Sequence, residues 1–145
     1  MTHDELVRRA VRWLKGTRRC PVVLSEVGSG IEIPDAIGWE YSGRSILVEC
    51  KASRADFLKD QNKSFRRYSD TGMGFLRYYM TPPGLVLPDE VPEKWGLCFV
   101  HPTQVRVAKR AEAFLFRGKI GAWRERGLLI SACAKALRSS EGVNE

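Results

Sequence analysis

Apolar positions recur with helical spacing at the start of the chain and with strand spacing directly after it. In residues 3–15 the apolar side chains share one helical face, opposite a basic face: Leu6, Val7, Ala10, Trp13 and Leu14. The stretch 21–27, PVVLSEV, has the β-branched density of a strand, and GSG at 28–30 is typical of a turn. The chain is therefore predicted to open with an amphipathic helix and a strand.

Residues 31–51 predict a β-hairpin. Its arms cover about 31–40 and 44–51, and Ser42 and Gly43 supply the turn chemistry between them. Further along, Ser53 is placed to cap a helix. Strands are predicted at 74–80, 97–100 and 104–108, a proline-rich stretch without regular structure at 81–96, and an interrupted helical region at 109–138.

The predicted helix after Ser53 has two contrasting faces. One face carries Leu58, Gln61, Phe65 and Tyr68. The other is a basic ridge formed by Lys59, Lys63, Arg66 and Arg67. A ridge of this kind is either a solvated helix face or a track for phosphates, and its position directly after the hairpin favours the phosphate track.

The order of elements predicts an α/β fold with one domain over 1–138 and a flexible tail over 139–145. A chain of 145 residues that is 43% hydrophobic has room for one well-cored domain. We expect a mixed central β-sheet, flanked by α-helices, with the antiparallel hairpin near its middle.

Composition narrows the partners and the compartment. The net charge of +7 invites a polyanion such as nucleic acid. The N-terminus is charged where a signal peptide needs apolar residues, and the apolar runs are short, so a cytoplasmic protein with no membrane partner is expected. The scattered cysteines predict reduced, mostly buried thiols: Cys20, Cys50, Cys98 and Cys133.

The hairpin carries candidate chemistry on one of its faces. A turn centred on Ser42 sets Asp35 opposite Glu49, and Lys51 follows on the face of Glu49. Opposed β carbons lie about 4.5–5.5 Å apart, so two carboxylates there repel unless a cation lies between them. A divalent ion with oxygen ligands, Mg²⁺, suits that geometry, and the backbone carbonyl of Cys50 is a further hard ligand. This arrangement suits metal-assisted hydrolysis of a phosphodiester, with Lys51 orienting water or stabilising charge on the phosphate.

The string P-D at 34 and 35 with E-C-K at 49–51 resembles the signature of the PD-(D/E)XK nuclease superfamily, which has a restriction-endonuclease-like fold. Over about 5–108, including ECKASRADFLKDQNKSFRRY and WGLCFV, the chain is similar to the MmcB-like family associated with DNA repair and to small phage-encoded relatives. The resemblance implies a Mg²⁺-dependent nuclease, with Mn²⁺ able to substitute. In it Asp35 and Glu49 are metal ligands, and Lys51 is the catalytic lysine.

Relatives often add another acid, and two residues are candidates. Glu5 fits by position in the first helix, although an ordinary ion pair with Arg9 one turn later is the favoured explanation. Glu26, at the end of the first strand, is better placed to approach the site. Gln61 either reaches the lysine or a phosphate, or is a satisfied core amide.

The function expected from these residues is hydrolysis of DNA phosphodiester bonds, directed by DNA structure, in repair, recombination or phage biology. No organic cofactor is implied, and a homodimer is left open. One alternative is a catalytically silent nuclease-like module that binds DNA or protein. The other is a nuclease directed at RNA.

Overall fold

The computed structural model describes residues 1–28, 32–63, 71–115 and 118–142. Within these ranges the chain forms three α-helices: α1 His3–Gly16, α2 Arg54–Asp60 and α3 Gly118–Gly142. The strands are β1 Val22–Ser25, β2 Ala36–Trp39, β3 Ser45–Cys50, β4 Leu76–Thr81, β5 Gly96–Val100 and β6 Val105–Lys109. A short 3-10 helix covers Pro88–Glu90, within the proline-rich loop (82–95) that joins β4 to β5.

The six strands form one mixed sheet whose spatial order follows the chain, β1-β2-β3-β4-β5-β6. β1, β2 and β3 are antiparallel neighbours, β3, β4 and β5 run parallel, and β6 returns antiparallel to β5. The α/β class and the mixed sheet flanked by helices are therefore confirmed. The expectation that the antiparallel hairpin forms the middle of the sheet is wrong, because the middle pair is the parallel pair β3–β4.

The register of the β2–β3 hairpin is the one that a turn centred on Ser42 requires. Ala36 pairs with Val48, and Trp39 pairs with Ser45. The tight turn depends on Gly43, whose φ of 90° lies in the left-handed region that side chains with a β carbon disfavour. Continuing the register by one residue sets Asp35 across from Glu49.

Two apolar clusters cover the two faces of the sheet. On one face, α1 buries Leu6, Ala10 and Leu14 against Val48 and Tyr78. The other face is covered by α2, by α3 and by the proline-rich loop, through Phe57, Leu128, Val86, Val91 and Trp95. Since neighbouring side chains of a strand point to opposite faces, Leu47 belongs to the second cluster, and Glu49 and Lys51 share its side of β3.

Two helices differ from the pattern predicted for them. In α2 the buried apolar residue is Phe57, while Leu58 is 54% exposed, because the helix ends at Asp60 and docks through a different face. Phe65 and Tyr68 lie outside the described residues. α3 continues through its glycines to Gly142, into the segment predicted as a tail, and buries Gly121 against the domain. Within the described residues, no helix has the length and apolar content needed to cross a membrane.

Candidate functional site

A cavity of about 260 Å³ lies where β2 begins and β3 ends. Its lining includes Asp35, Glu49 and Lys51, together with ionisable residues from both helical layers of the fold. Among those additional residues are His3, Asp60 and Lys63. The structure thus brings the three residues singled out in the hairpin to one cavity.

Asp35 directly precedes β2 and contacts both the neighbouring strand β3 and helix α1. Its Oδ2 accepts a hydrogen bond of 2.7 Å from the backbone N–H of Cys50, so the carboxylate is anchored to β3. Its Oδ1 lies 3.1 Å from Nε2 of His3, the first residue of α1. The Asp35 side chain is 15% exposed, which leaves it open to the cavity but fixed in direction.

Glu49 lies near the end of β3 and is almost fully buried, with 3% of its surface exposed. Its Oε2 is 3.9 Å from Nζ of Lys51. The intervening Cys50 points to the opposite face of the sheet, into the cluster beneath α1. Burial, with smaller contributions from the charges of Asp35 and Glu49, raises the pKa of the Cys50 thiol well above its ordinary value. Any contribution of Cys50 to the cavity therefore comes from its main chain.

Lys51 is held by a buried carboxylate that the hairpin does not supply. Nζ of Lys51 donates to Oδ1 of Asp60 at 3.2 Å, and the side chain of Lys51 is 10% exposed. Asp60, the last residue of α2, has 1% of its surface exposed. Nζ of Lys63 lies 2.9 Å from the same oxygen. A buried carboxylate needs such cations, because leaving it unpaired costs several kcal/mol.

Tyr79 completes this network from β4. Its hydroxyl donates to Oδ2 of Asp60 and accepts a hydrogen bond of 2.9 Å from Nε2 of Gln61. The ring stacks on Trp95 with a centroid distance of 4.5 Å and meets Phe57 edge-on at 5.0 Å. Gln61 is therefore a satisfied amide that reaches Lys51 only through Tyr79 and Asp60. The proline-rich loop braces the network from outside, since Trp95 lies at its end.

The two further acids suggested by the sequence do not line the cavity. Glu5 belongs to a capping box at the start of α1: its carboxylate accepts the Thr2 N–H at 2.6 Å, and its own N–H donates to Oγ1 of Thr2. These hydrogen bonds lower the pKa of Glu5. The ion pair with Arg9 is replaced, because the Arg9 guanidinium donates to the carbonyls of His101 and Pro102.

Glu26 lies beside the cavity, in an exposed group with His3 and Asp4. One potential ligand atom from each lies within 4.8 Å of the others. Exposed groups of this kind are common without a metal ion. Among the described residues, no group of three such side chains that includes both Asp35 and Glu49 meets the same limit.

The basic ridge is described for half of its length. Lys59 and Lys63 line the cavity, Lys59 from an exposed position on α2. Arg66 and Arg67 lie outside the described residues. Among the described residues of the basic ridge, the two that reach the cavity are therefore those nearest to the end of α2.

Comparison with known proteins gives a likeness of fold. A solved structure of a protein of unknown function, SPO1766 from Silicibacter pomeroyi, superposes with a TM-score of 0.68 at 19% sequence identity. The match covers 100% of this chain and 93% of that one. No family model matches the sequence, and neither does any curated protein. At this identity the likeness describes the fold and carries no activity from one protein to the other.

The donor set of the cavity fits a hard divalent cation. Asp35 and Glu49 supply carboxylate oxygens, the ligands that Mg²⁺ prefers, and Mg²⁺ keeps several waters when only one or two carboxylates bind it. The neighbouring thiol of Cys50 is directed away, so no soft ligand competes. Asp35, Glu49 and the main chain of Cys50 are the groups that would hold the ion.

Two lining residues that contact the predicted site residues escaped the sequence patterns. His3 reaches Asp35 because the N-terminus of α1 docks beside the start of β2. Asp60 reaches Lys51 because α2 ends over β4. The only local signal for Asp60 was a carboxylate placed among the lysines of the basic ridge.

Proposed function

We propose that this protein is a Mg²⁺-dependent nuclease of the PD-(D/E)XK type that hydrolyses DNA phosphodiester bonds. The observation that carries the proposal is the shared cavity of Asp35, Glu49 and Lys51 at the end of one hairpin. Two acids and a lysine that converge in this way match the residues by which the sequence resembles that superfamily. The restriction-endonuclease-like core and a role in DNA repair, recombination or phage biology belong to the same proposal.

In the proposed site each side chain has a separate task. Bound Mg²⁺ supplies Lewis acidity, polarising a phosphoryl oxygen and lowering the pKa of a bound water. Asp35 and Glu49 would hold the ion, and the Cys50 N–H fixes the direction of the Asp35 carboxylate. The Lys51 ammonium stabilises negative charge that develops on the phosphate. Lys59 and Lys63 bind the flanking phosphates of the DNA backbone.

Asp60 and Tyr79 act on the reaction by positioning the lysines, Lys51 above all. A free lysine side chain samples many rotamers, and the Asp60 carboxylate restricts Nζ to the floor of the cavity. Tyr79, clamped between Trp95 and Phe57, fixes the Asp60 carboxylate in turn. Both are positioning residues.

The test is cleavage of a DNA panel, single-stranded, nicked, flapped and branched, in Mg²⁺ and in Mn²⁺. We expect the wild-type protein to cut at least one substrate, and Asp35→Asn and Lys51→Met to lose about 100-fold or more in rate. Glu26→Gln is the matched control, because it neutralises a nearby acid outside the cavity. Circular dichroism establishes that each variant is folded.

Binding measurements separate the proposal from its rivals. Calorimetry should detect Mg²⁺ or Mn²⁺ in the wild type and in Glu26→Gln, with a large loss of affinity in Asp35→Asn. DNA binding without cleavage of any substrate would leave a catalytically silent module as the better description. Cleavage of the RNA version of the panel, with DNA left intact, would instead identify an RNA-directed nuclease.

A further inference from the structure

Helix α3 has apolar residues on two opposite faces. The face toward the domain buries Gly121, Glu125 and Leu128. Four large apolar side chains on the helix are exposed, at 46, 73, 61 and 58% of their surfaces: Ile120, Trp123, Ile130 and Leu137. A row of large exposed apolar side chains on one face is typical of a surface that binds a partner. The outer face therefore lacks a partner within the described structure.

The exposed residues follow the heptad spacing of a helix that pairs with another helix. Trp123, Ile130 and Leu137 are seven residues apart, in the d positions of a heptad. The a positions are Ile120, Gly127 and Ala134, and the last two are half-buried. The a and d positions together form the outer stripe of α3. Large residues occupy all of its d positions, and small residues occupy two of its three a positions.

The second half of α3 has no support from its own domain. Beyond Leu129, which packs partly buried against the core, none of the described residues of the helix is buried. Isolated helices shorter than about 12–15 residues are marginal in water. A helix that persists to Gly142 needs packing, and the outer stripe is the surface that offers it.

We propose that α3 pairs antiparallel with α3 of a second copy of this chain. One register makes the outer stripe complementary to itself. It sets Trp123 opposite Ala134 of the other copy and Ile130 opposite Gly127, so each large residue faces a small one. Ile120 and Leu137 then meet at both ends of the pair. The unsupported half of each helix lies on the supported half of its partner.

The charges beside the stripe agree with this register. Lys119, Arg124 and Arg126 flank the a and d positions. In a parallel pair, like positions meet and these cations would face cations. In the antiparallel register Arg124 and Arg126 lie opposite neutral side chains of the second copy, Cys133 and Ser131, while Lys119 lies opposite Arg138. Two of the three cations therefore avoid a like charge in the antiparallel pairing, and none does in the parallel one.

The exposed area suits a modest dimer. A buried Trp side chain contributes about 150–250 Å² of contact. With three more large side chains per copy and the stems of the flanking cations, the pair reaches the lower end of stable interfaces, roughly 1,200 Å² in total. This inference is independent of the proposed nuclease activity.

Sedimentation velocity and light scattering on the full chain test the pairing. We expect a concentration-dependent dimer, weakened roughly tenfold or more by Leu137→Lys, which places a charge in the outer stripe. Ala136→Lys is the matched control, since it adds the same charge to an exposed position outside the stripe. A monomer at every concentration, or a dimer that Leu137→Lys leaves intact, overturns the proposal.

Cysteine cross-linking tests the direction of the helices. In a Cys133→Ser background, the double variant Ile120→Cys/Leu137→Cys should form an inter-chain disulfide under mild oxidation. Each single variant should not, because equivalent positions lie about 26 Å apart along an antiparallel pair. Rapid cross-linking of either single variant would show parallel helices and contradict the register.

Discussion

At the scale of single residues, Asp60 controls how the charge of Lys51 is presented to the cavity. Its two carboxylate oxygens have different partners. Oδ1 lies against the ammonium groups of Lys51 and Lys63, and Oδ2 accepts from the Tyr79 hydroxyl. Because Asp60 is buried, solvent compensates poorly for its carboxylate if that carboxylate is removed. Lys51 would then keep its burial and lose its nearest anion.

Asp60→Ala should therefore destabilise the protein by about 3 kcal/mol, as expected when one partner of a buried ion pair is removed. Asp56→Ala, an exposed change in the same helix, should cost less than about 1 kcal/mol. Urea denaturation measures both, provided that the slope of the free energy of unfolding against urea is unchanged. Equal losses in the two variants would show that the buried pair adds nothing to stability.

At this site the sequence predicted the pairing of the hairpin residues but not the contact between Asp60 and Lys51. Alternation and turn position are local properties, so the proximity of Asp35 and Glu49 followed from the pattern. The partner of Lys51 depends on where α2 ends and on which face it docks. The predicted helix extends to Tyr68, and its apolar face includes Leu58. The prediction therefore places Asp60 on the wrong face and misses it.

At the scale of elements, the cap of α1 shows how a residue that stabilises a helix can be mistaken for a metal ligand. Thr2 and Glu5 satisfy each other's backbone N–H groups, and both hydrogen bonds lie on the end of the helix that approaches Asp35 through His3. An acid in this helix invites a metal role, yet its hydrogen bonds are those of a cap. The two roles make different predictions.

Thr2→Ala and Glu5→Ala should each lower the free energy of unfolding by about 1 kcal/mol, because each breaks the capping box. Asp4→Ala, in the same turn but outside the capping box, should cost less. Thermal melts measure the loss. Calorimetric affinity for Mg²⁺ should be the same in wild type and Glu5→Ala; a large fall would restore Glu5 as a ligand.

An ion pair with an added hydrogen bond joins α2 to the proline-rich loop. The Arg54 guanidinium donates to the Glu90 carboxylate at 2.8 Å and to the Leu85 carbonyl at 2.9 Å. The Arg54 hydrogen bond, helped by the Leu87 N–H, lowers the pKa of Glu90 from 4.5 to about 2. Its stabilising effect is therefore complete above pH 4.5 and is lost as the pH falls toward about 2.

Glu90→Gln should lower the melting temperature at neutral pH, and its difference from wild type should shrink as the pH approaches about 2. The control is Glu93→Gln, a change at an exposed acid of the same loop. Thermal melts over this pH range give the comparison. A difference between wild type and Glu90→Gln that stays constant with pH would contradict the ion pair.

At the scale of the whole molecule, the sheet extends further than the hairpin indicated. The hairpin needs only a short turn, whereas the parallel pairs β3–β4 and β4–β5 need crossovers, which α2 with its following segment and the proline-rich loop supply. Whether a strand adds parallel or antiparallel depends on the path of that crossover in space. The patterns therefore predicted the strands but placed the hairpin in the middle.

The burial of the thiols gives a test of the whole fold. Cys20, Cys50 and Cys98 are buried, while Cys133 is exposed on α3. Burial also raises the pKa of Cys98 to about 12, so little reactive thiolate forms. A thiol reagent should label one cysteine rapidly in the native protein and all four after denaturation. Rapid labelling of a second cysteine in the native state would place one of the three outside the core.

The agreement between strand order and chain order bears on how the sheet is built. Each strand from β2 to β6 pairs with the strand made immediately before it. A growing chain can thus add one strand at a time to an existing edge, without threading a later segment between two earlier strands. The β2–β3 hairpin closes through a short turn, whereas the parallel pairs β3–β4 and β4–β5 form only after their longer crossovers close, so these crossovers are the slow steps of assembly. Vectorial folding during synthesis is open to this protein from its first hairpin onward.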